Sequence, residues 1–271
     1  MGHGKTIWTG ALGVALAAAA GSSAAAAGAQ PQDAKQIVQQ AANAELAADR
    51  DDHSHWRYIE SEMDGSKYVV VETENGALKR HIAVGSRESL ASAQREDDEY
   101  NQKFIHDPGL QAKEKRDGEH DDKSATELLK LLPEAFDWKV VSESADSYTL
   151  SFRPDPNFDP PDMEARVMGR MEGTLIVDKK QHRIQTMKGA LSEDINIGWG
   201  ILGRLHKGGT FNVERRQVAP GQWQITETHV HIEGRALFFK TIGQQQDEVK
   251  TDFTQVPEGT TLEQAVGMLK Q

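Results

Sequence analysis

The chain contains no cysteine among its 271 residues. That excludes a disulfide framework, a thiol nucleophile, thiolate metal ligands and an amino-terminal lipid on cysteine. Proline is scarce, and four of the nine prolines fall between Arg153 and Pro161. That stretch cannot be regular structure and reads as a fixed-shape loop. Basic residues are outnumbered, 31 Lys and Arg against 42 Asp and Glu, for a net charge of −11. Nucleic acid and anionic membrane surfaces are disfavoured as partners, because both require phosphates to be neutralised by Lys and Arg. Catalytic signatures are missing as well: no Gly-x-Ser-x-Gly elbow, no His-Glu-x-x-His, and no Ser-x-x-Lys with its companions. The expectation is a protein that is not an enzyme and needs no cofactor.

What is present begins with an export signal. Lys5 precedes an uncharged stretch from Ile7 to Ala20 and a run of small residues ending at Ala29, the order of a cleaved secretory signal peptide. The stretch is short and alanine-rich, whereas a spanning helix needs roughly 20 strongly apolar residues. Residues 1–29 are therefore expected to be removed. The rest should be periplasmic or secreted, without stable membrane insertion. Loss of Lys5 takes the charge from −11 to −12.

Residues 30–271 read as a single domain. A helix is predicted over 34–48, where Ile37 and Ala41 follow a cap at Asp33. Three strand-like runs, His55 to Met63, Lys67 to Glu74 and Ala77 to Val84, are separated by Asp64-Gly65 and Asn75-Gly76, which are strong hairpin dipeptides. A charged helical insertion is expected at about 87–132. Within it, Asp107-Pro108-Gly109 breaks the chain, Gln111 to Asp122 is a mobile charged segment, and a short helix capped at Ser124 stops at Pro133. Strands follow at Trp138–Ser142, Ser147–Phe152, Met171–Asp178, His182–Leu191, Thr210–Val218, Gln222–Ile232 and Glu248–Val256. Thr261 caps a last helix. The fold class is α+β, β-dominated: a large curved antiparallel sheet, an open or half barrel, with short helices covering its concave face.

Three constellations bear on function. Gly198-Trp-Gly200-Ile-Leu-Gly203 has the letters of a dinucleotide fingerprint but lacks its βαβ context, since Gly208-Gly209 forbids the following helix. It reads as an apolar loop whose Trp199, Ile201, Leu202 and Leu205 either form a lid or rim over an apolar cavity or simply pack. His53 with His55, and His229 with His231, each place two imidazoles on one strand face. Together they are an alternative metal site of a secreted enzyme. The strand residues Trp56, Tyr58, Tyr148, Leu150, Phe152, Phe211, Val213, Trp223, Ile225, Val249 and Phe253 are core or, on a curved sheet, the apolar wall of a pocket for a lipid or acyl chain.

The order of signal peptide, helix, strand meander, helical insertion and long antiparallel strands resembles the bacterial periplasmic lipoprotein carriers of the LolA/LolB type. Leu128-Leu-Lys-Leu-Leu-Pro-Glu-Ala-Phe136, Met171-Glu-Gly-Thr-Leu-Ile-Val-Asp178, Gly198 to Leu205 with Gly208 to Phe211, and Trp223 with Gly234 to Phe239 are similar to secreted bacterial proteins near that superfamily. The resemblance implies an unclosed barrel, a helical lid, and a cavity for the acyl chains of a lipid or an acylated protein. No functional residue carries over from it. Without cysteine the chain is not a membrane-anchored acceptor. The expected function is a soluble carrier of a lipid-like ligand, with a ligand-free envelope scaffold as the other non-enzymatic reading.

Overall fold

Asp64-Gly65 and Asn75-Gly76 turn the chain tightly because Gly65 and Gly76 take positive φ of 89° and 121°, a region that costs glycine nothing. The result is the expected meander of β1 (His55–Glu62), β2 (Lys67–Thr73) and β3 (Gly76–Ala83). The computed structural model describes residues 33–85, 89–197, 203–236 and 241–271. Residues 1–29, read above as a signal peptide, and Trp199, Ile201 and Leu202, read above as part of a lid, lie outside them.

Before the meander stands α1 (Ala34–Asp51), capped by Asp33, whose carboxylate accepts the Lys35 N–H. After it come α2 (Leu90–His106) and α3 (Pro108–Ala135). The insertion is thus two long helices, and Gln111 to Asp122 is helical instead of a mobile segment. Asp107 caps α3 at the Leu110 N–H, 3.0 Å away, and Pro108 suits its first turn. Pairs such as Lys113–Asp117 at 2.6 Å support the charged middle. Ser124 is mid-helix, not a cap. Pro133 sits inside the last turn of α3, where a missing N–H frees only one carbonyl, so it does not stop the helix.

The remaining strands are β4 (Phe136–Glu143), β5 (Ser147–Pro154), β6 (Met171–Asp178), β7 (Ile184–Leu191), β8 (Ile195–Ile197), β9 (Gly203–Leu205), β10 (Thr210–Ala219), β11 (Gln222–Ala236) and β12 (Thr241–Val256). Two helices complete the chain. The short α4 (Met163–Met168) was not anticipated and starts where Asp162 accepts the Ala165 N–H at 2.7 Å. The last, α5 (Leu262–Met268), carries the full capping box of Thr261 and Gln264. All strands join one antiparallel sheet, ordered β3-β2-β1-β12-β11-β10-β7-β6-β5-β4, with the β8–β9 hairpin attached to β11. It is open, not a closed barrel. Residues 198–202 lie outside the described residues; the segments on either side of them, β8 and β9, pair antiparallel, and β9 is not followed by a helix.

Gly173 and Gly189 face each other on β6 and β7. A Cβ on Gly173 would lie 2.0 Å from the Lys188 carbonyl, so only glycine allows that approach. On the concave face of β4–β7, α1 and the last turns of α3 bury Ile37, Val38, Ala41, Leu132 and Ala135 against Leu150, Phe152, Leu175 and Val177. On the opposite face of β2, α5 and Phe104 of α2 cover Val69, Val71 and Leu78. Leu110 packs on this second cluster and Leu129 on the first. Helix α3 thus links the two ends of the open sheet.

Candidate functional site

Strand register decides which side chains share the concave face, because neighbours directly across a ladder point the same way. Tyr58 faces Val70, and Glu60 faces both Tyr68 and Lys250. Arg215 faces Ile225, and Gln217 faces Trp223. A bulge in β12 centred on Asp252, with φ of 57°, changes the parity of the strand. Phe253 is thereby brought to the same face as Lys250, stacked on Tyr58 at 5.3 Å and edge-on to Trp56 at 6.2 Å.

Ten of the eleven expected wall residues share this face, in two groups. Tyr148, Leu150, Phe152, Phe211 and Val213 lie on the half roofed by α1 and α3, where Leu150 and Phe152 are core. Trp56, Tyr58, Trp223, Ile225 and Phe253 lie on the other half. Val249 is the exception: opposite Ser61 and Glu227, it points from the reverse face. Leu205, the lid residue within the described chain, packs onto the first core cluster.

The second half is not purely apolar. Beside the Trp56–Tyr58–Phe253 floor, Lys79 pairs with Glu60 at 3.6 Å and Glu62 at 3.3 Å, and Lys250 pairs with Glu60 at 3.9 Å and Glu248 at 3.8 Å. The two ammonium groups lie over aromatic rings, Lys79 over Tyr68 at 4.0 Å and Lys250 over Tyr58 at 5.2 Å. Burial and then the neighbouring acids, Glu72 first among them, push the Tyr58 phenol well above its ordinary range. Burial and Glu62 likewise push Tyr68 up to about 12. Both stay neutral and can only exchange hydrogen bonds. A cleft lined by Tyr58, Glu72, Arg215, Gln224, Ile225, Lys250 and Phe253 has room for about 20 Å³, the space of a single water.

Where this half meets α1, a buried charge cluster holds the helix to the sheet. Glu45 is 1% exposed, and its side chain meets those of Arg183 and Arg215, which are 9% and 11% exposed. Arg183 donates at 2.9 Å and the Ile184 N–H at 2.7 Å, and Arg215 donates to the same oxygen as Arg183. Burial pushes the Glu45 carboxyl up, but Arg215, Arg183 and the Ile184 N–H together hold it below the usual carboxylate range. One turn on, burial raises Asp49 despite a hydrogen bond with Thr126 of α3 and the attraction of Arg215. Asp122 of α3 is pushed up to about 6 by burial and then by Asp49.

The sequence reading missed this cluster, although it left a trace. Glu45 falls on the apolar stripe of Ile37, Val38, Ala41 and Ala42, and Arg215 continues the face of Phe211 and Val213 along β10. A charge at a buried position of an amphipathic pattern is the signal that was available.

The two histidine pairs do not meet. His55 is opposite Val256 at the end of β12 and His229 opposite Asp247 near its middle, roughly 30 Å apart at about 3.3 Å per residue. Asp247 instead bridges His229 at 2.6 Å and His231 at 2.9 Å on the reverse face. Among the described residues, no group of three or more His, Asp or Glu side chains is arranged to hold a metal ion. The concave site offers ionic and aromatic contacts, which suit binding. Comparison with family models, with curated proteins and with solved structures returns no match in any of the three, so its function is argued from its own chemistry.

Proposed function

We propose that this chain is an exported carrier or binding protein for a lipid-like ligand of the cell envelope, held on the concave face beside the half that α1 and α3 roof. The observation that carries the reading is the second half of that face. An aromatic floor of Trp56, Tyr58 and Phe253 adjoins a row of Lys79, Lys250 and Arg215, which matches a molecule with one apolar and one polar part. A space of about 20 Å³ is too small for an acyl chain, so loading requires the side chains that line the cleft to move apart. Protein purified from the envelope of an expressing bacterium is expected to release acyl species on extraction, and native mass spectrometry should detect the complex. Absence of any such species, together with no binding of a fluorescent fatty acid, would sink the proposal. The same small cleft favours a second reading, a scaffold whose concave face is simply its core, and that negative outcome would support it.

A further inference from the structure

We infer that the arginine pair beneath α1 is an anion site which Glu45 occupies in place of a ligand, and that the ligand it takes is the oxyanion head, phosphate or carboxylate, of an amphiphile. The inference rests on the carrier reading above and names the ligand's polar end. Arg183, from the turn before β7, and Arg215, from β10, converge on one carboxylate oxygen, while the Ile184 N–H covers the other. Two guanidinium forks and a backbone donor around one oxyanion form the kind of cradle that binds phosphate or carboxylate. The three donors come from β10, β7 and the turn that enters β7, whereas the anion that fills the cradle comes from a separate helix.

Two further observations distinguish this cradle from an ordinary internal ion pair. The Nε of Arg183 is buried and makes no hydrogen bond among the described residues, so the cradle has donor capacity that one carboxylate leaves unused. A phosphate, with three acceptor oxygens, would use more of it. The cleft that Arg215 lines also runs past Ile225, Lys250, Tyr58 and Phe253. A head group on the arginines therefore sets its chain over the aromatic floor. As a fastening alone, the ion pair is a poor device, because well-packed apolar residues hold a helix to a sheet at least as well. Its distinctive property is exchange: a competing oxyanion takes the arginines and releases α1.

The test measures binding of dodecyl phosphate, dodecyl maltoside and inorganic phosphate to the purified protein by calorimetry and tryptophan fluorescence. The unmodified protein is expected to bind dodecyl phosphate about tenfold more tightly than dodecyl maltoside, with a preference that shrinks in salt. Glu45→Gln, which withdraws the competing charge, is expected to tighten dodecyl phosphate by a further factor of about ten and dodecyl maltoside by less. Arg215→Gln is expected to abolish the preference. Equal affinity for the two amphiphiles overturns the anion site and leaves the carrier reading standing. Failure of both to bind overturns the two together. Inorganic phosphate bound as tightly as dodecyl phosphate overturns the amphiphile head as the ligand. Should circular dichroism show Glu45→Gln unfolded, the head-group preference of the unmodified protein decides the matter.

Discussion

Asp122 sits on the solvated, acidic stretch of α3, yet one of its carboxylate oxygens is buried without a hydrogen bond and burial raises its pKa to about 6. The folded state therefore holds this proton more tightly than the unfolded chain, whose ordinary value is 3.8. By linkage the stability contributed by Asp122 is present below that value and falls as pH rises from about 4 to 6. Urea midpoints measured across that range should rise more, or fall less, with pH in Asp122→Asn than in the native protein, because the variant lacks this contribution; identical slopes would refute it. Glu45 works in the other direction. Replacing it alone with Leu removes the carboxylate that both buried guanidinium groups share, at a cost of about 3–5 kcal/mol in denaturant unfolding. Replacing Arg183 and Arg215 with Met in the same chain should restore most of that stability. The two halves of this cluster are legible in sequence as charges at buried positions. Their union is not, because 138 and 170 residues separate Glu45 from its arginines, and no local pattern encodes which helix crosses which strand.

The two edges of the sheet are treated differently. Along β3, α2 supplies side chains to the free backbone: Asp97 accepts the His81 N–H at 2.7 Å, Gln94 donates to the His81 carbonyl at 2.8 Å and Asn101 to that of Lys79 at 3.1 Å. No further strand can add there. At the other end β4 pairs only with β5 and exposes Val140 and Val141, the latter to 55%. A bulge between Val140 and Ser142 and the exposed Lys139 blunt this edge, as natural sheets require. Lys139→Val should raise self-association in sedimentation velocity without lowering stability; an unchanged sedimentation coefficient would show that the bulge alone suffices. Strand positions and hairpins were legible because alternation and Asn-Gly or Asp-Gly turns are local signals. The unity of α3 was not, since a run of charges reads as solvated whether or not i,i+4 pairs and a capped first turn keep it helical.

Across the whole molecule, α1 and the last turns of α3 cover one half of the concave face, and α1 is fastened to the sheet through buried charge. Hydrogen exchange should therefore report loading: with dodecyl phosphate present, amides of α1 are expected to exchange faster while those of β5 and β6 hold. Unchanged exchange in α1 on a confirmed complex would mean that the ligand binds elsewhere. The sequence by itself determined the β-dominated class, the meander, the capped terminal helix and the apolar stripes, because periodicity and turn chemistry act over a few residues. Tertiary structure alone decided that β12 pairs with β1, that a bulge at Asp252 turns Phe253 onto Tyr58, and that the two histidine pairs stay apart. It also decided that the concave face is aromatic and ionic rather than simply greasy. These are matters of register and long-range pairing. A shift of one residue moves a side chain to the other face of a sheet, and nothing in the local pattern of the chain sets that shift.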